Sequence, residues 1–142
     1  MDNAPRSDCP INAAVELLGD KWSLLILRDM VFGGSCQFRQ LQSGLKEGIA
    51  SNILTDRLRR LVDAGLLTKH ERGRGRPTTY RLAEPAIQLV PVLVTLGAWG
   101  ARHRPTTPEL RRGAEEMEAG GPEHWQQLMA ELRERVRNGE PE

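Results

Sequence analysis

The sequence predicts a mainly α-helical domain that carries one small β-hairpin. Apolar residues recur at helical spacing over several segments of the chain, which is the main signal for amphipathic helices. One stretch, LLTKHERGRGRPTTYRL, instead places two strand-like runs on either side of a Gly/Pro-rich turn, as in a hairpin. The chain has 142 residues, and its 39% apolar content is enough to fill one modest core. We therefore expect one compact domain with an extension.

The N-terminal part predicts three helices. Pro10 suits the first position of a helix that runs to Leu18. A second helix, from about Trp22 to Val31, is apolar on nearly all sides and should be buried. A pair of glycines and a short extended link then lead to a third helix, from Phe38 to about Leu45.

The fourth predicted helix, from about Ser51 to Ala64, has two unlike faces. One face is apolar and is formed by Ile53, Leu54, Leu58, Leu61 and Val62. The opposite face carries Asn52, Asp56, Arg59, Arg60 and Asp63, with Thr55 at the border. Short hydrogen-bonding side chains thus lie near the N-terminal end of this face, and arginines lie further along. The pattern is more ordered than that of a random solvated helix face.

The predicted hairpin spans residues 67–82, and its tip is basic. Arg72, Arg74 and Arg76 alternate with glycines there. A loop of this composition cannot bury its side chains in a core. Its arginines are therefore available to bind a polyanion, and a solvated loop tip without a binding role is the alternative.

The C-terminal part predicts two further helices. The first starts at Pro85 and runs to about His103, and Pro91 inside it predicts a kink or a boundary. Its apolar stripe exceeds what a domain of this size covers by itself, and consists of Leu89, Val92, Leu93, Leu96 and Trp99. The last helix runs from about Glu123 to Arg137 within a looser, acidic segment. We therefore divide the chain into a domain at residues 1–105 and an acidic helical extension at residues 106–142.

Charge is segregated along the chain, although the net charge is only +1. Residues 39–81 carry ten Lys/Arg against four Asp/Glu, a balance of +6. Residues 109–142 carry five against nine, a balance of −4. A basic middle next to an acidic tail predicts one surface that is built to bind a polyanion.

The order of elements is that of a winged helix-turn-helix: helix, short helix, turn, polar-faced helix and basic hairpin. A helix fits the major groove of DNA, and a flexible basic hairpin reaches phosphates or the adjacent minor groove. We therefore predict that the partner is double-stranded DNA. The candidate DNA-binding residues are Ser51, Asn52, Thr55, Asp56, Arg57, Arg59 and Arg60 in the helix, and Arg72, Arg74 and Arg76 in the hairpin.

Three of these candidates have alternative roles, whereas Arg59 is the favoured single contact. Asp56 is suited either to accept a hydrogen bond from a cytosine amino group or to orient a neighbouring arginine. Arg57 lies nearer the core edge, where it contacts a phosphate or forms a structural ion pair. Ser51 is suited to be a helix N-cap, a phosphate donor, or both.

Several segments also resemble those of a known family. CPINAAVELLGDKWSLLILRDM, FRQLQSGLKEGIASNILTDRLRRLVDAGLL, RPTTYRL and LVPVLVTLGAWGARH are similar, in this order, to the signature segments of the HxlR-type transcriptional regulators, relatives of the MarR regulators. The resemblance implies a homodimer that binds a pseudo-palindromic operator through a recognition helix at 51–64 and a wing at 67–82. It also implies that terminal helices pair across the dimer axis. The chain departs from the family in having LAEPAIQL after the wing, where many members have L-T-x-x-G.

The resemblance further implies a possible redox or electrophile sensor, because some members of the family use a cysteine placed like Cys9. A thiolate at a helix N-terminus is stabilised by the helix dipole, whereas the neighbouring Asp8 opposes this effect. In the alternative, Cys9 is only a small residue suited to the turn before Pro10. Cys36 is a weaker candidate for a sensor and is expected to pack beside the short strand. A small-molecule effector or an oxidant is a further candidate partner.

Other classes of function find little support in the sequence. No nucleotide-binding, zinc-protease or serine-hydrolase motif is present, so we expect neither an enzyme nor a cofactor. Cysteines and histidines lack the spacing of metal ligands. No apolar run reaches the roughly 18 residues of a membrane span, and no secretory signal is visible, so we expect a cytoplasmic protein. The alternative function is a module that binds nucleic acid or an acidic protein without sequence-specific regulation.

Overall fold

The computed structural model describes residues 4–139 and confirms a mainly helical domain with one hairpin. The elements in chain order are α1 (Pro10–Leu18), α2 (Ser23–Phe32), α3 (Phe38–Gly44), α4 (Ser51–Asp63), β1 (Leu67–His70), β2 (Thr79–Leu82), α5 (Glu84–Ile87), α6 (Val90–His103) and α7 (Pro108–Asn138). Helices α2, α3 and α4 are followed by the hairpin β1–β2, which is the arrangement of a winged helix-turn-helix.

Helix α4 is fixed in the core by its apolar face. Leu54, Leu58 and Leu61 are at most 1% exposed, as the helical spacing of these residues predicts. They belong to a cluster that also contains Ile26 and Leu27 of α2. Ile53 and Val62 of the same face are partly buried and pack against this cluster. Because the apolar face of α4 is turned into the core, the polar face of the helix points outward.

The hairpin is antiparallel, and a third short segment joins it. Leu67 pairs with Leu82 and His70 with Thr79. The link before α3 lies beside β2, where the Tyr80 amide donates a 2.7 Å hydrogen bond to the Cys36 carbonyl and Gln37 forms an isolated bridge with Thr79. The extended link and the position of Cys36 next to the sheet are thus confirmed.

Asp20 caps the start of α2. Its Oδ1 accepts hydrogen bonds from the backbone amides of Trp22 (2.8 Å) and Ser23 (2.9 Å), and its Oδ2 accepts one from the Ser23 hydroxyl (2.5 Å). Arg57 of α4 donates a further bond to Oδ1 at 3.1 Å. Burial opposes ionisation of Asp20, but the bonds from Ser23, Trp22 and Arg57 outweigh it and lower the pKa from 3.8 to about 2.

Pro91 marks a boundary between two helices. Pro91 predicts a kink or a boundary, and α5 indeed ends at Ile87 while α6 begins at Val90.

The expectation that the second helix, α2, is buried holds for one face only. Met30 is 4% exposed, whereas Phe32 at the end of α2 is 47% exposed. Helix α2 therefore packs into the core on one face and leaves an apolar side chain exposed at its C-terminal end.

The prediction of a loose segment before Glu123 was wrong. Helix α7 begins at Pro108, where the Thr107 hydroxyl accepts a 3.3 Å bond from the Leu110 amide. The glycine pair only kinks the helix, at Gly121 with φ of 71°, because a positive φ is accessible to glycine. The Trp125 indole bridges the kink by donating a 2.7 Å bond to the Met117 carbonyl. Good helix formers such as Ala, Glu and Met in residues 114–119 support the helix before the kink.

The part of α7 after the kink belongs to the main core. Met129 and Leu132 are each 1% exposed and lie in the same cluster as the side chains of α2 and α4. Arg133 donates two hydrogen bonds, of 2.9 and 2.7 Å, to the carboxylate of Glu84 in α5. The division of the chain at residue 105 stays a prediction.

Truncation of a buried side chain in α7 should destabilise the whole domain. We expect Leu132→Ala to lower the free energy of unfolding by about 3 kcal/mol, because it leaves a cavity in the shared core. Leu110→Ala is the matched control in the same helix, since Leu110 is 61% exposed, and it should change stability by less than about 0.5 kcal/mol. Urea unfolding measures both, and a neutral Leu132→Ala would contradict the packing of α7 on the core.

The Asp20 cap should give stability a specific pH dependence. Because folding lowers the pKa of Asp20, its contribution is complete above pH 4 and is lost as the pH falls towards 2. The shift corresponds to about 2 kcal/mol for a side chain that is 18% exposed. We expect Asp20→Asn to be about that much less stable at pH 7 in urea unfolding, with the difference shrinking below pH 4. Asp63→Asn, at an exposed position of α4, is the control, and a difference that is constant with pH would refute this account.

Candidate nucleic-acid interface

The N-terminal end of α4 presents three exposed polar side chains, those of Ser51, Asn52 and Thr55. The Thr55 hydroxyl donates a 2.8 Å hydrogen bond to the Ser51 carbonyl, which leaves its oxygen lone pairs available on the surface. Of the two roles that the sequence allows for Ser51, the structure contradicts that of helix N-cap, and the role of phosphate donor stays a prediction. Ala50 occupies the N-cap position and its carbonyl accepts from the amides of residues 53 and 54, so Ser51 is the first helical residue. Its hydroxyl is therefore not used for capping.

Three charged side chains further along α4 form a line of contacts that ends at Asp20, just before α2. Arg59 Nη2 lies 3.2 Å from Asp56 Oδ1, and Arg57 Nη1 lies 2.5 Å from Asp56 Oδ2. Arg57 Nε in turn lies 3.1 Å from Asp20 Oδ1. We call Asp20, Arg57, Asp56 and Arg59 the charge chain.

The charge chain bears on the alternatives that the sequence left open. Each carboxylate oxygen of Asp56 accepts from a different arginine, and hydrogen bonds from Arg59 and then Arg57 lower the pKa of Asp56. The geometry thus provides the contact needed for Asp56 to orient an arginine. Arg57 lies between two carboxylates and is 23% exposed, which is the structural ion pair that the sequence allowed. DNA contact by either residue stays a prediction.

Arg60 points away from the outer surface of α4 and towards α1. Its Nη2 donates to the Glu16 carbonyl at 3.5 Å, and its Nη1 lies 4.0 Å from Asp20 Oδ2. Among the arginines of α4, Arg59 is the most exposed, at 67%. The geometry therefore favours Arg59 over Arg60 as a contact to a partner in front of the helix.

The wing tip presents its cations to solvent. Arg72, Arg74 and Arg76 are exposed, and within residues 4–139 their guanidinium groups form no ion pair. Gly73 and Gly75 have φ of 97° and 82°, a conformation that L side chains rarely adopt. The alternation of arginine and glycine thus allows a tight tip whose charges all remain available. These three exposed arginines are the ones that the hairpin pattern of the sequence indicates.

At the base of the wing, His70 adds no positive charge at neutral pH. Its Nε2 lies 2.8 Å from the Thr68 hydroxyl. Partial burial lowers the pKa of His70, and the nearby Arg81 and Arg72 lower it further. Because Lys69 is paired with Glu71 at 3.3 Å, the net positive charge of the wing comes from its arginines.

The two cysteines lie in different environments and form no disulfide. Cys9 is exposed at the N-cap of α1, and its amide donates a weak 3.4 Å hydrogen bond to the Ser7 hydroxyl. Cys36 is partly buried beside the hairpin. A reagent in solution can therefore reach Cys9 directly.

Two kinds of site are absent from the described part of the chain. Between residues 4 and 139, no group of three or more His, Cys, Asp or Glu side chains is placed to hold a metal ion. Over the same residues, no helix combines the length and the hydropathy that are needed to cross a membrane.

The chain is similar to known helix-turn-helix proteins. It is 36% identical over 112 residues to Rv3095 of Mycobacterium tuberculosis, named an uncharacterized HTH-type transcriptional regulator, and the match covers 71% of this chain and 64% of that protein. This chain thus spans less than two thirds of the mycobacterial relative. In structure it is similar to PA1607, a candidate transcription factor, with 35% sequence identity, a TM-score of 0.64, and coverage of 72% of this chain and 70% of the other.

A more distant structure has the same fold. The reduced form of the redox regulator HypR is 22% identical, has a TM-score of 0.56, and is matched over 65% of this chain and 90% of its own. A family model described as HxlR-like helix-turn-helix matches residues 17–108, which include α2 to α6 and the wing. The chain therefore belongs to the HxlR-like helix-turn-helix family.

Proposed function

We propose that this protein is a homodimeric transcription regulator that binds duplex DNA through α4 and the wing and performs no chemistry on a substrate. The observation that carries the proposal is the combination of an outward polar face on α4 with three arginines at the wing tip that form no ion pair within residues 4–139. Family membership supports this function, since the related proteins are named transcriptional regulators. As a regulator of transcription, it works in the cytoplasm, where its DNA is.

Helix α4 is the part that reads sequence in the proposed complex. Asn52 and Arg59 have the side chains that pair bidentately with adenine and guanine edges in the major groove. The Ser51 and Thr55 hydroxyls are suited to contact phosphates or base edges. All four side chains are exposed on the same face of the helix, with Arg59 about two turns beyond the N-terminal end.

The wing supplies the electrostatic attraction. Arginine forks bind phosphate oxygens or enter a narrow minor groove, and the three at the wing tip have no competing carboxylate in the described chain. A contact of this kind positions the protein on DNA without reading its sequence.

Exposed apolar side chains support a homodimer. On α1, Ile11 is 74% and Val15 is 51% exposed, and on α6, Val92, Leu96 and Trp99 are 44%, 49% and 54% exposed. Large apolar surfaces of this kind are typical of interfaces between protein chains. A second copy that covers them would present a second α4, and thus two half-sites on a pseudo-palindromic operator.

Binding-site selection from random duplexes, followed by footprinting, tests the proposed function. We expect a two-fold symmetric sequence whose half-sites lie about one helical turn, roughly 34 Å, apart. Binding without sequence preference, to RNA or to an acidic protein instead of duplex DNA, would favour the interaction module over the regulator.

Removal of the wing charges should weaken DNA binding and leave the fold intact. Replacement of Arg72, Arg74 and Arg76 by alanine should reduce the slope of log affinity against log salt by about 0.9 for each phosphate that the wing no longer neutralises. The control with the same charge change is replacement of Arg111, Arg112 and Arg137 of α7 by alanine, since these arginines are also exposed. A salt slope that stays the same in the wing variant would exclude phosphate binding by the wing.

We also propose that Cys9 makes DNA binding responsive to an oxidant or electrophile. The support is its exposed position at the N-cap of α1, where a reagent in solution can reach the thiol. The family resemblance points the same way. A role as a small residue before Pro10 is the competing explanation.

The Cys9 proposal predicts different responses from two cysteine variants. Wild-type protein and Cys36→Ser should release operator DNA after treatment with hydrogen peroxide or a thiol-alkylating maleimide, and Cys9→Ser should bind normally and remain bound. Fluorescence anisotropy of labelled operator measures the release. If Cys9→Ser releases DNA as the wild type does, Cys9 is not the sensor.

A further inference from the structure

The charge chain runs from a partly buried anchor to an exposed end. Its side chains are 18% exposed at Asp20, 23% at Arg57, 42% at Asp56 and 67% at Arg59. The signs alternate along it, so each inner group has an opposite charge on both sides. The last member, Arg59, is the exposed arginine that the proposed function places at a base edge.

The inner end of the charge chain is Asp20, which is fixed by backbone amides as well as by side chains. Asp20 accepts from two amides and one hydroxyl at the start of α2. Its carboxylate therefore has a fixed position relative to the core. Arg57 is positioned in turn by its 3.1 Å bond to Asp20, and it positions Asp56 through a bond of its own.

The outer end needs such support. An exposed ion pair between two mobile side chains is weak, and an arginine has much rotamer entropy to lose when it is fixed. The Asp56–Arg59 pair is of this exposed type, with an i,i+3 spacing on α4. Arg57 holds Asp56 in place before DNA binds. The carboxylate that pairs with Arg59 is therefore already ordered, and no conformational entropy is lost in ordering it on binding.

We propose that Asp20 is a positioning residue for sequence recognition, which acts through Arg57 and Asp56 to orient Arg59 towards its base. The proposal rests on the proposed function, since it requires that Arg59 reads DNA. It assigns a role in specificity to a residue that lies outside the recognition helix and does not face the DNA. It also assigns Arg57 to the support of Arg59 in place of a direct phosphate contact.

The charge of Asp20 makes the proposal distinguishable from a merely structural role. Asp20→Asn removes a negative charge near DNA, so affinity for random duplex should stay the same or rise. Affinity for the selected operator should fall, and the ratio of the two affinities should drop by about tenfold, as for removal of a well-oriented base contact. A purely structural loss would instead reduce both affinities together.

Two more variants separate the proposed effect on specificity from a general loss of structure. Arg57→Gln breaks the charge chain but leaves in place the hydrogen bonds that Asp20 accepts at the start of α2. It should lower the same ratio by a similar factor. Arg133→Gln removes an ion pair of similar exposure between α7 and α5, and it should leave the ratio unchanged. Circular dichroism at the assay temperature verifies that each variant is folded.

A double-mutant cycle completes the test. In an Arg59→Ala background, Asp20→Asn should cause no further loss of the specificity ratio, because its effect passes through Arg59. Additive losses would overturn the proposal, and so would an Arg59→Ala variant that retains full specificity for the operator. In both of these cases the wild type still prefers its operator, so the proposed function stands. A wild-type protein without any preferred sequence contradicts the proposed function, and the role of Asp20 with it.

Discussion

Burial of one face of α4 is the constraint on which the rest of the structure depends. Leu54, Leu58 and Leu61 have almost no exposed surface, so α4 cannot rotate about its axis without exposing them. This fixed rotation decides which side chains point outward, and it brings Arg57 to the edge of the core, within reach of Asp20. The wing follows α4 directly, and Leu67 and Leu82 anchor its two strands in the same core.

Local sequence patterns were sufficient for most of the fold and for the outline of the site. The spacing of leucines predicted the buried face of α4, and the Gly/Pro-rich turn between two strand-like runs predicted the hairpin with its arginines. Pro91 marked the boundary between α5 and α6 because a proline has no amide to donate within a helix. In each case the signal and the structure that it determines lie within a few residues of each other.

Contacts between distant parts of the chain escaped prediction for a physical reason. Asp20 and Arg57 are 37 residues apart, and Glu84 and Arg133 are 49 apart, so no local pattern links them. An aspartate just before the apolar run of α2 is a capping signal that could have been recognised. The start of α7 escaped prediction because the pair Gly120-Gly121 is a typical loop signal. In the structure its effect is confined to a kink at Gly121.

The charges of α4 indicate that α4 and the wing contribute differently to the proposed DNA binding. Arg57, Arg59 and Arg60 are balanced on the same helix by Asp56 and Asp63, and Asp20 supplies a third carboxylate at its inner edge. The helix and its anchor are therefore electrostatically neutral as a unit. Non-specific attraction to DNA scales with unpaired positive charge, so in the proposed complex the arginines at the wing tip contribute more of this attraction than α4 does. In the proposed complex, a neutral α4 gains little affinity from phosphates, and its contribution to binding depends on base contacts of the correct geometry, which is where an oriented Arg59 has most effect.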